Sequence, residues 1–232
     1  MTRDPTKRRL FEQFAQVGKA LSSPARLELI DLLAQGEKPV ELLAGQAGLS
    51  VTNASNHLRA LREAGLVDTR REGQFIFYRL ASTAVSDFLR SLQALAHERS
   101  ATVRELVTRY LQEPDTFEPV RAEELAERMR ADDTVVIDVR PHDEYASGHI
   151  PGALSVPIDE IEARVGDLAA LAEDGEIVAY CRGRYCVYAS RAVEILRAHG
   201  LRATRLAEGI PEWRSMGLRV AVGANPPNDN GA

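Results

Sequence analysis

The chain has 232 residues, of which 44% are hydrophobic and 27% are charged, a composition typical of an ordinary soluble protein. Its net charge of -5 is unevenly distributed: up to Glu118 there are 16 Lys and Arg against 15 Asp and Glu, and the remainder has 13 against 19. These properties argue against extensive disorder and against contact between DNA and the acidic second half.

We find no apolar run long enough to cross a bilayer, and residues 1–10 lack the apolar core of a secretory signal. We therefore expect a cytoplasmic protein with no membrane partner. Its two cysteines, Cys181 and Cys186, are close together, which makes a poor structural disulfide. A reducing compartment keeps such a pair as thiols unless their chemistry is used.

Apolar residues at helical spacing predict helices over 8–21, 24 to about 35 and 39–47. Ser50 is expected to cap a fourth helix, whose inward positions are Ala54, Leu58 and Leu61. The outward positions are all polar: Thr52, Asn53, Ser55, Asn56 and Arg59. Such a face suits entry into the major groove, although polar faces are also common on helices that only meet solvent.

Residues 66–80 are predicted to form a β-hairpin with Gly73 at its tip. Arg70 and Arg71 make this hairpin basic, and Gln74 lies next to the tip. A basic hairpin after a polar helix is the arrangement of a DNA-binding wing.

The ordered series Ser22-Ser23-Pro24-Ala25-Arg26, then 49–67, then the hairpin resembles the ArsR (SmtB-type) family of dimeric winged helix-turn-helix repressors. The resemblance covers about residues 8–110 and implies double-stranded operator DNA as partner. It implies that DNA is faced by Thr52, Asn53, Ser55, Asn56, His57 and Arg59, with Arg70, Arg71 and Gln74 on the wing. His57 borders the inward side of the fourth helix, so it is equally well interpreted as a histidine packed in the core.

Many members of that family sense metals through cysteines of the third helix or Asp and His clusters of the last one. Here residues 41–47 contain no cysteine, and Asp87, His97 and Glu98 lack the repeated histidines that a borderline metal requires. We therefore expect no metal site and no cofactor, and a surface or interface position for His97.

The apolar pattern from 82 to about 111 predicts one long helix. A small domain cannot easily bury so long a stripe, so we expect a homodimer in which a second copy and the first helix cover it. Packing against the second half of the same chain is the alternative.

Two prolines make 112–119 the expected linker between a DNA-binding domain (1–111) and a second domain (120–223), with a flexible tail at 224–232. The second domain alternates predicted strands (135–139, 154–156, 177–180, 203–206) with predicted helices (about 121–130, 158–171, 187–199). This order indicates a mainly parallel α/β sheet beside a mainly α winged-helix domain. Chemistry in such sheets lies at the carboxyl ends of the strands, where Cys181 is found.

The loop Cys181-Arg182-Gly183-Arg184-Tyr185-Cys186 precedes a predicted helix. Its glycine, its two arginines and the helix N-terminus should favour the thiolate of Cys181. Cys186 is either a packed residue or a second thiol that resolves a modified Cys181.

The series 138–140, 144–145, 148–153, the cysteine loop and 208–213 resembles a rhodanese domain over about residues 118–222. The resemblance implies a nucleophilic Cys181 that takes a sulfane sulfur and holds it as a persulfide. Asp138, Arg140, Glu144 and His149 would support strand ends and loops. The six-residue loop resembles that of sulfurtransferases, whereas phosphatase and arsenate-reductase relatives have one residue more. Arg184 would favour an anionic donor such as thiosulfate or a small persulfide.

These observations predict a dimeric transcriptional regulator, a repressor by resemblance, whose rhodanese domain reports reactive sulfur or redox state. The alternative is a rhodanese-type sulfurtransferase in which the winged helix serves for dimerisation or localisation.

Overall fold

The computed structural model describes residues 5–111, 119–131, 134–173 and 175–223. It forms two compact units that divide between Leu95 and Ala96. The expected tail and all of the expected linker except Pro119 lie outside the described residues. No helix within the described ranges is long and apolar enough to span a membrane.

The first unit is mainly helical. Its elements are α1 (Pro5–Leu21), α2 (Pro24–Ala34), β1 (Lys38–Pro39), α3 (Val40–Gln46), α4 (Val51–Glu63), β2 (Val67–Glu72), β3 (Phe75–Leu80) and the greater part of α5 (Thr83–Arg99). Leu29, Leu43 and Leu58, from three different helices, are fully buried in one core. Burying such side chains stabilises the fold by about 1.5–3 kcal/mol each.

The start of α4 confirms the predicted cap, because Ser50 Oγ accepts a hydrogen bond from the backbone N–H of Asn53 at 3.3 Å. Ala54, Leu58 and Leu61 are completely buried. Their spacing places one side of α4 in the core and leaves the polar side outward.

The predicted hairpin is confirmed as β2 and β3, which pair antiparallel with Glu72 opposite Phe75. Gly73 has φ 60°, the left-handed conformation that a tight hairpin turn requires. The two-residue strand β1 adds to β3, giving the sheet order β1-β3-β2. Strand β1 was not predicted, since two residues carry no detectable periodicity.

The prediction of one long helix after the wing is wrong. Helix α5 ends at Arg99, and α6 (Ala101–Leu111) begins after Ser100. Ser100 Oγ accepts a hydrogen bond from the N–H of Val103 at 3.2 Å, as an N-cap does. The apolar spacing continues through this break, so periodicity alone could not detect it.

The second unit, after α6, is an α/β fold. Its helices are α7 (Ala122–Arg128), α8 (His142–Ser147), α9 (Ile161–Ala172), α10 (Tyr188–Ala198) and α11 (Ile210–Ser215), with 3₁₀ turns at Met129–Ala131 and Ile158–Glu160. Its strands are β4 (Thr134–Asp138), β5 (Leu154–Ser155), β6 (Glu176–Tyr180) and β7 (Ala203–Arg205). The predicted parallel sheet is confirmed, in the order β5-β4-β6-β7. The six-residue helices α8 and α11 were not predicted.

Both faces of this sheet are covered. Along β6, Ile177, Ala179 and then Cys181 join the core beneath α9 and α10. Val178 and Tyr180 join the opposite core, which includes Leu125 of α7 and Trp213 of α11. Because successive side chains of a strand point to opposite faces of the sheet, the Cys181 side chain lies on the face covered by α9 and α10.

Candidate thiol site and nucleic-acid interface

Cys181 directly follows the last residue of β6, at the carboxyl end of the sheet. The neighbouring parallel strand β4 ends in register, with Asp138 opposite Tyr180. Cys181 therefore lies at a central position of the sheet edge, where ligand sites of parallel α/β folds form.

The cysteine loop curls around the Cys181 sulfur. Gly183 has φ 140°, and the N–H of Cys186 donates to the carbonyl of Gly183 at 3.0 Å, which closes a tight turn. Hydrogen bonding to the backbone N–H groups of Gly183 and Ala189 acts to lower the pKa of Cys181. Its Sγ lies 3.4 Å from the carbonyl oxygen of Cys186. Backbone amides of this kind can stabilise negative charge on sulfur.

The acid-base properties of the two thiols differ from the expectation for Cys181. Burial raises the pKa of Cys181 well above its usual value, and the hydrogen bond with Cys186 adds to this. The same hydrogen bond, together with the N–H groups of Tyr188 and Arg182, lowers the pKa of Cys186 to about 7. The sulfurs form one coupled site in which Cys186 ionises first.

Arg182 is bound to a buried carboxylate. Its Nη2 donates to Glu144 Oε1 at 2.7 Å, and its Nε donates to both oxygens of Glu144 at 3.0–3.1 Å. The guanidinium also lies 5.5 Å from the centre of the Tyr188 ring. Glu144 on α8 thus holds one side of the loop, and this pairing explains why Arg182 does not offset the burial of Cys181.

Arg184 is exposed. Its Nη2 lies 3.4 Å from Nε2 of His97, and its guanidinium lies 6.0 Å from the centre of the Tyr185 ring. His97 was expected at a surface or interface, and within the second unit it contacts the cysteine loop through Arg184.

Asp138 and Arg140 form a fully buried ion pair behind the site. Arg140 donates to both carboxylate oxygens of Asp138, and its Nη2 also reaches the carbonyl of Gly148 at 2.8 Å. The pair therefore ties the end of β4 to the end of α8. Its geometry suits support of the loops, the role predicted for both residues.

His149 is buried after α8. Its Nδ1 lies 2.9 Å from the carbonyl of Tyr145, and its ring stacks on the Tyr145 ring at 3.7 Å between centres. Its backbone exchanges hydrogen bonds of 2.9 Å with Ala221. These contacts place His149 in the packing of the fold, away from the hydrogen bonds that surround the thiols.

Sequence reasoning did not assign Gly209 and Glu212 to the site, although both lie in a segment that carried the resemblance. A Cβ on Gly209 would collide with the backbone of Arg182 and Gly183, so only glycine fits. Glu212 accepts a hydrogen bond from the N–H of Gly209 at 3.0 Å, and its Oε2 would lie 3.2 Å from a Cβ on Gly183. Glycine followed three residues later by glutamate is a capping signal that could have identified this contact.

On α4, the side chains of Thr52, Asn53, Asn56 and Arg59 are exposed. Ser55 and His57 are half-buried. The exposed residues form a polar surface one helix face wide, with the dimensions that a major groove admits. His57 lies at its border, next to the buried Leu58. A DNA-facing role and a role in core packing therefore both remain open for this residue.

The two wing arginines differ. Arg70 Nε donates to Glu37 at 3.0 Å and its Nη1 to Glu72 at 2.6 Å, while its guanidinium lies 4.8 Å from the centre of the Phe77 ring. Arg71 Nε donates only to a neutral group in the described contacts, the carbonyl of Gly73 at 3.2 Å. Gln74 is exposed in the turn. The positive charge of Arg71 is therefore less neutralised by nearby carboxylates than that of Arg70.

Among the described residues, no group of three or more His, Cys, Asp and Glu side chains is arranged to hold a metal ion.

Two family models match the chain. Residues 23–69 match the bacterial regulatory protein, arsR family, and residues 121–216 match the rhodanese-like domain. The first match includes α4 and the start of the wing, and the second includes the whole cysteine loop.

Similar proteins extend these matches. The HTH-type transcriptional regulator Rv0324 of Mycobacterium tuberculosis is 45% identical over 218 residues, which cover 94% of each chain. A biofilm growth-associated repressor of Agrobacterium fabrum is 46% identical over 33% of this chain and 66% of its own. The solution structure of a homodimeric winged helix-turn-helix DNA-binding domain, Mb0332 of Mycobacterium bovis, is 41% identical, covers 44% of this chain and 94% of its own, and has a TM-score of 0.41.

Since the match to Rv0324 runs through both domains, this chain belongs to the ArsR family of transcriptional regulators, in the form that carries a C-terminal rhodanese-like domain.

Proposed function

We propose that this regulator binds operator DNA as a homodimer and that uptake of a sulfane sulfur by Cys181 changes its affinity for the operator. The observation that carries the proposal is the position of Cys181 at the carboxyl end of β6, at the start of a loop that closes in a tight turn. In the described residues this regulator has no metal cluster to serve as sensor.

The thiol site suits sulfur transfer. Cys181 attacks the outer sulfur of thiosulfate as its proton passes to the Cys186 thiolate, the S–S bond of thiosulfate breaks, and sulfite leaves with the bonding electrons. The N–H groups of Gly183 and Ala189, which act to lower the pKa of Cys181, would also stabilise the new persulfide anion. Because Cys181 is only 4% exposed, the product is shielded from bulk solvent.

Two features favour an anionic donor. Arg184 is exposed beside the thiols, where it can pair with thiosulfate or with the carboxylates of a small persulfide. Access to the sulfur is narrow, which disfavours a bulky donor.

The DNA-binding half of the proposal rests on α4 and the wing. Thr52, Asn53, Asn56 and Arg59 are exposed on one helix, and groups of these types bind base edges or phosphates. Arg71 and Gln74 on the hairpin extend the polar surface beyond the helix.

The homodimer is supported by apolar side chains left uncovered in the first unit. On α1, Phe11 and Phe14 are 59% and 58% exposed, and on α5 Phe88 and Leu95 are 53% and 57% exposed. Large apolar surfaces of this kind mark interaction sites, and a second copy would present the same helices.

The test is a titration of an operator duplex, selected by the wild-type protein from a random pool, at fixed salt. Adding thiosulfate or a polysulfide to the wild type should change operator affinity at least tenfold, and Cys181→Ser should abolish the response. Arg59→Ala should lower operator affinity by about 1–3 kcal/mol while leaving sulfur uptake intact. Unchanged binding by a wild type shown to carry sulfur would contradict the proposal.

A second candidate function is supported by the rhodanese-like match over residues 121–216: a sulfurtransferase that turns over. Steady-state formation of thiocyanate from thiosulfate and cyanide separates the two. A sensor should take up one sulfur per chain and release it slowly. An enzyme should form many equivalents of thiocyanate per chain before its affinity for the operator changes.

A further inference from the structure

The two cysteines are in direct contact, because Cys181 Sγ donates a hydrogen bond of 3.4 Å to the backbone carbonyl oxygen of Cys186. Their side chains also interact, since Cys186 raises the pKa of Cys181 and Cys181 lowers the pKa of Cys186. The turn closed by Gly183 and Cys186 brings the ends of the loop together, so cysteines five residues apart in sequence come into contact. Neither sulfur is used in a disulfide, and the chain contains no other cysteine.

Their surroundings give them different roles. Cys181 is buried and lies at the end of the strand, whereas Cys186 is half-buried just before α10. The N–H groups of Tyr188 and Arg182 and the charge of the Arg182 guanidinium act on the Cys186 sulfur. Because its pKa is lowered to about 7, Cys186 is partly ionised at neutral pH, while the pKa of Cys181 is raised by burial.

Resting on the proposed function, we infer that Cys186 is the second nucleophile of this site: its thiolate attacks the inner sulfur of the Cys181 persulfide, forms a Cys181–Cys186 disulfide and expels hydrosulfide. The persulfide is then a transient species, and the disulfide is the form of the loop that persists.

The reaction needs no oxidant other than the sulfur donor. Sulfur uptake joins one sulfane sulfur to Cys181 and releases sulfite. In the second step the bond between Cys181 and the added sulfur breaks, a bond between Sγ of Cys181 and Sγ of Cys186 forms, and the added sulfur leaves as hydrosulfide with the electron pair. Overall, two thiols are oxidised to a disulfide, one sulfane sulfur is reduced to sulfide, and one proton is released to solvent.

This step would convert sulfur uptake into a change in the conformation of the cysteine loop. A persulfide adds one atom inside the loop, whereas a disulfide links the residue after β6 to Cys186, two residues before the start of α10. Reversal then requires a thiol reductant, which would couple the response to the redox state of the compartment as well as to sulfur.

The experiment treats the reduced full-length chain with thiosulfate under anaerobic conditions and without any added thiol. Intact mass and released sulfide are then measured. We expect the wild type to lose about 2 Da and to release one sulfide per chain, and Cys186→Ser to gain about 32 Da with release of sulfite but no sulfide. A sample without donor should stay a dithiol, which excludes oxidation by residual oxygen.

A wild type that keeps the mass of the persulfide and releases no sulfide would overturn the inference while leaving the proposed function intact. If neither the wild type nor Cys186→Ser takes up sulfur from thiosulfate or from a small persulfide, the proposed function fails instead. Cys186→Ala serves as a second replacement, and its circular dichroism shows whether loss of the thiol alters folding. Release of sulfide by the wild type, together with a persulfide that is stable in both folded variants, supports the inference.

Discussion

The DNA-facing surface of α4 and the thiol loop after β6 are built in opposite ways. Asn53 and Arg59 project from a helix whose other side supplies the core, so function and packing use different residues. In the thiol loop, Cys181 itself belongs to the core, and Arg182 is bound to the fully buried Glu144. Substitutions of the outward residues of α4 should therefore change DNA binding alone, whereas substitutions around the loop should change both stability and reactivity.

The largest effect is expected behind the thiol loop. Arg140→Ala leaves the carboxylate of Asp138 buried without its partner and should lower the free energy of unfolding by about 3–5 kcal/mol. Urea denaturation followed by circular dichroism measures the change. Arg8→Ala, which removes an exposed pair with Glu12, is the control and should cost less than about 0.5 kcal/mol. Equal effects of the two substitutions would disprove the contrast.

A smaller effect is expected where the backbone of the loop meets a neighbouring turn. Gly209→Ala places a Cβ against the backbone of Arg182 and Gly183 and should cost about 1–3 kcal/mol while slowing alkylation of the thiols. Gly166→Ala in α9 is the matched control, because no atom would meet its Cβ and alanine favours helix. The proposed tight fit would be refuted by a Gly209→Ala protein with wild-type stability and alkylation rate.

The thiols should also differ in pH dependence. Because the pKa of Cys186 is lowered to about 7, its alkylation by iodoacetamide should rise between pH 6 and 8 and level off above that range. Cys181→Ala removes the thiol that donates to Cys186, so the midpoint should move upward, toward an ordinary cysteine. Peptide mass mapping identifies the alkylated residue, and alkylation first at Cys181 would contradict the assignment.

The smallest effect separates the two wing arginines. Arg70 is paired with Glu37 and Glu72, so Arg71→Ala should reduce the salt dependence of operator binding more than Arg70→Ala. The expected change in the slope of log affinity against log salt is about 1 for Arg71 and less for Arg70. Similar slopes for both variants would show that DNA displaces the carboxylates from Arg70.

Elements with a strong local signal were predicted well. Ser50 was identified as a cap, Ala54 and Leu58 as core positions, and Gly73 as the hairpin tip, because each depends on residues close in sequence. The break at Ser100 and the short helices α8 and α11 were missed. A serine within an unbroken apolar pattern, or a helix of six residues, leaves too little periodicity to detect.

By itself, the sequence determined the two domain types, the parallel sheet and the position of Cys181 at a strand end, since these follow from local pattern and element order. Only the tertiary structure decided which groups pair with one another across the fold. Arg182 meets Glu144 across 38 residues, and Gly209 meets the loop from the far end of the domain. Long-range contacts of this kind leave Cys181 buried and make Cys186 the more easily ionised thiol.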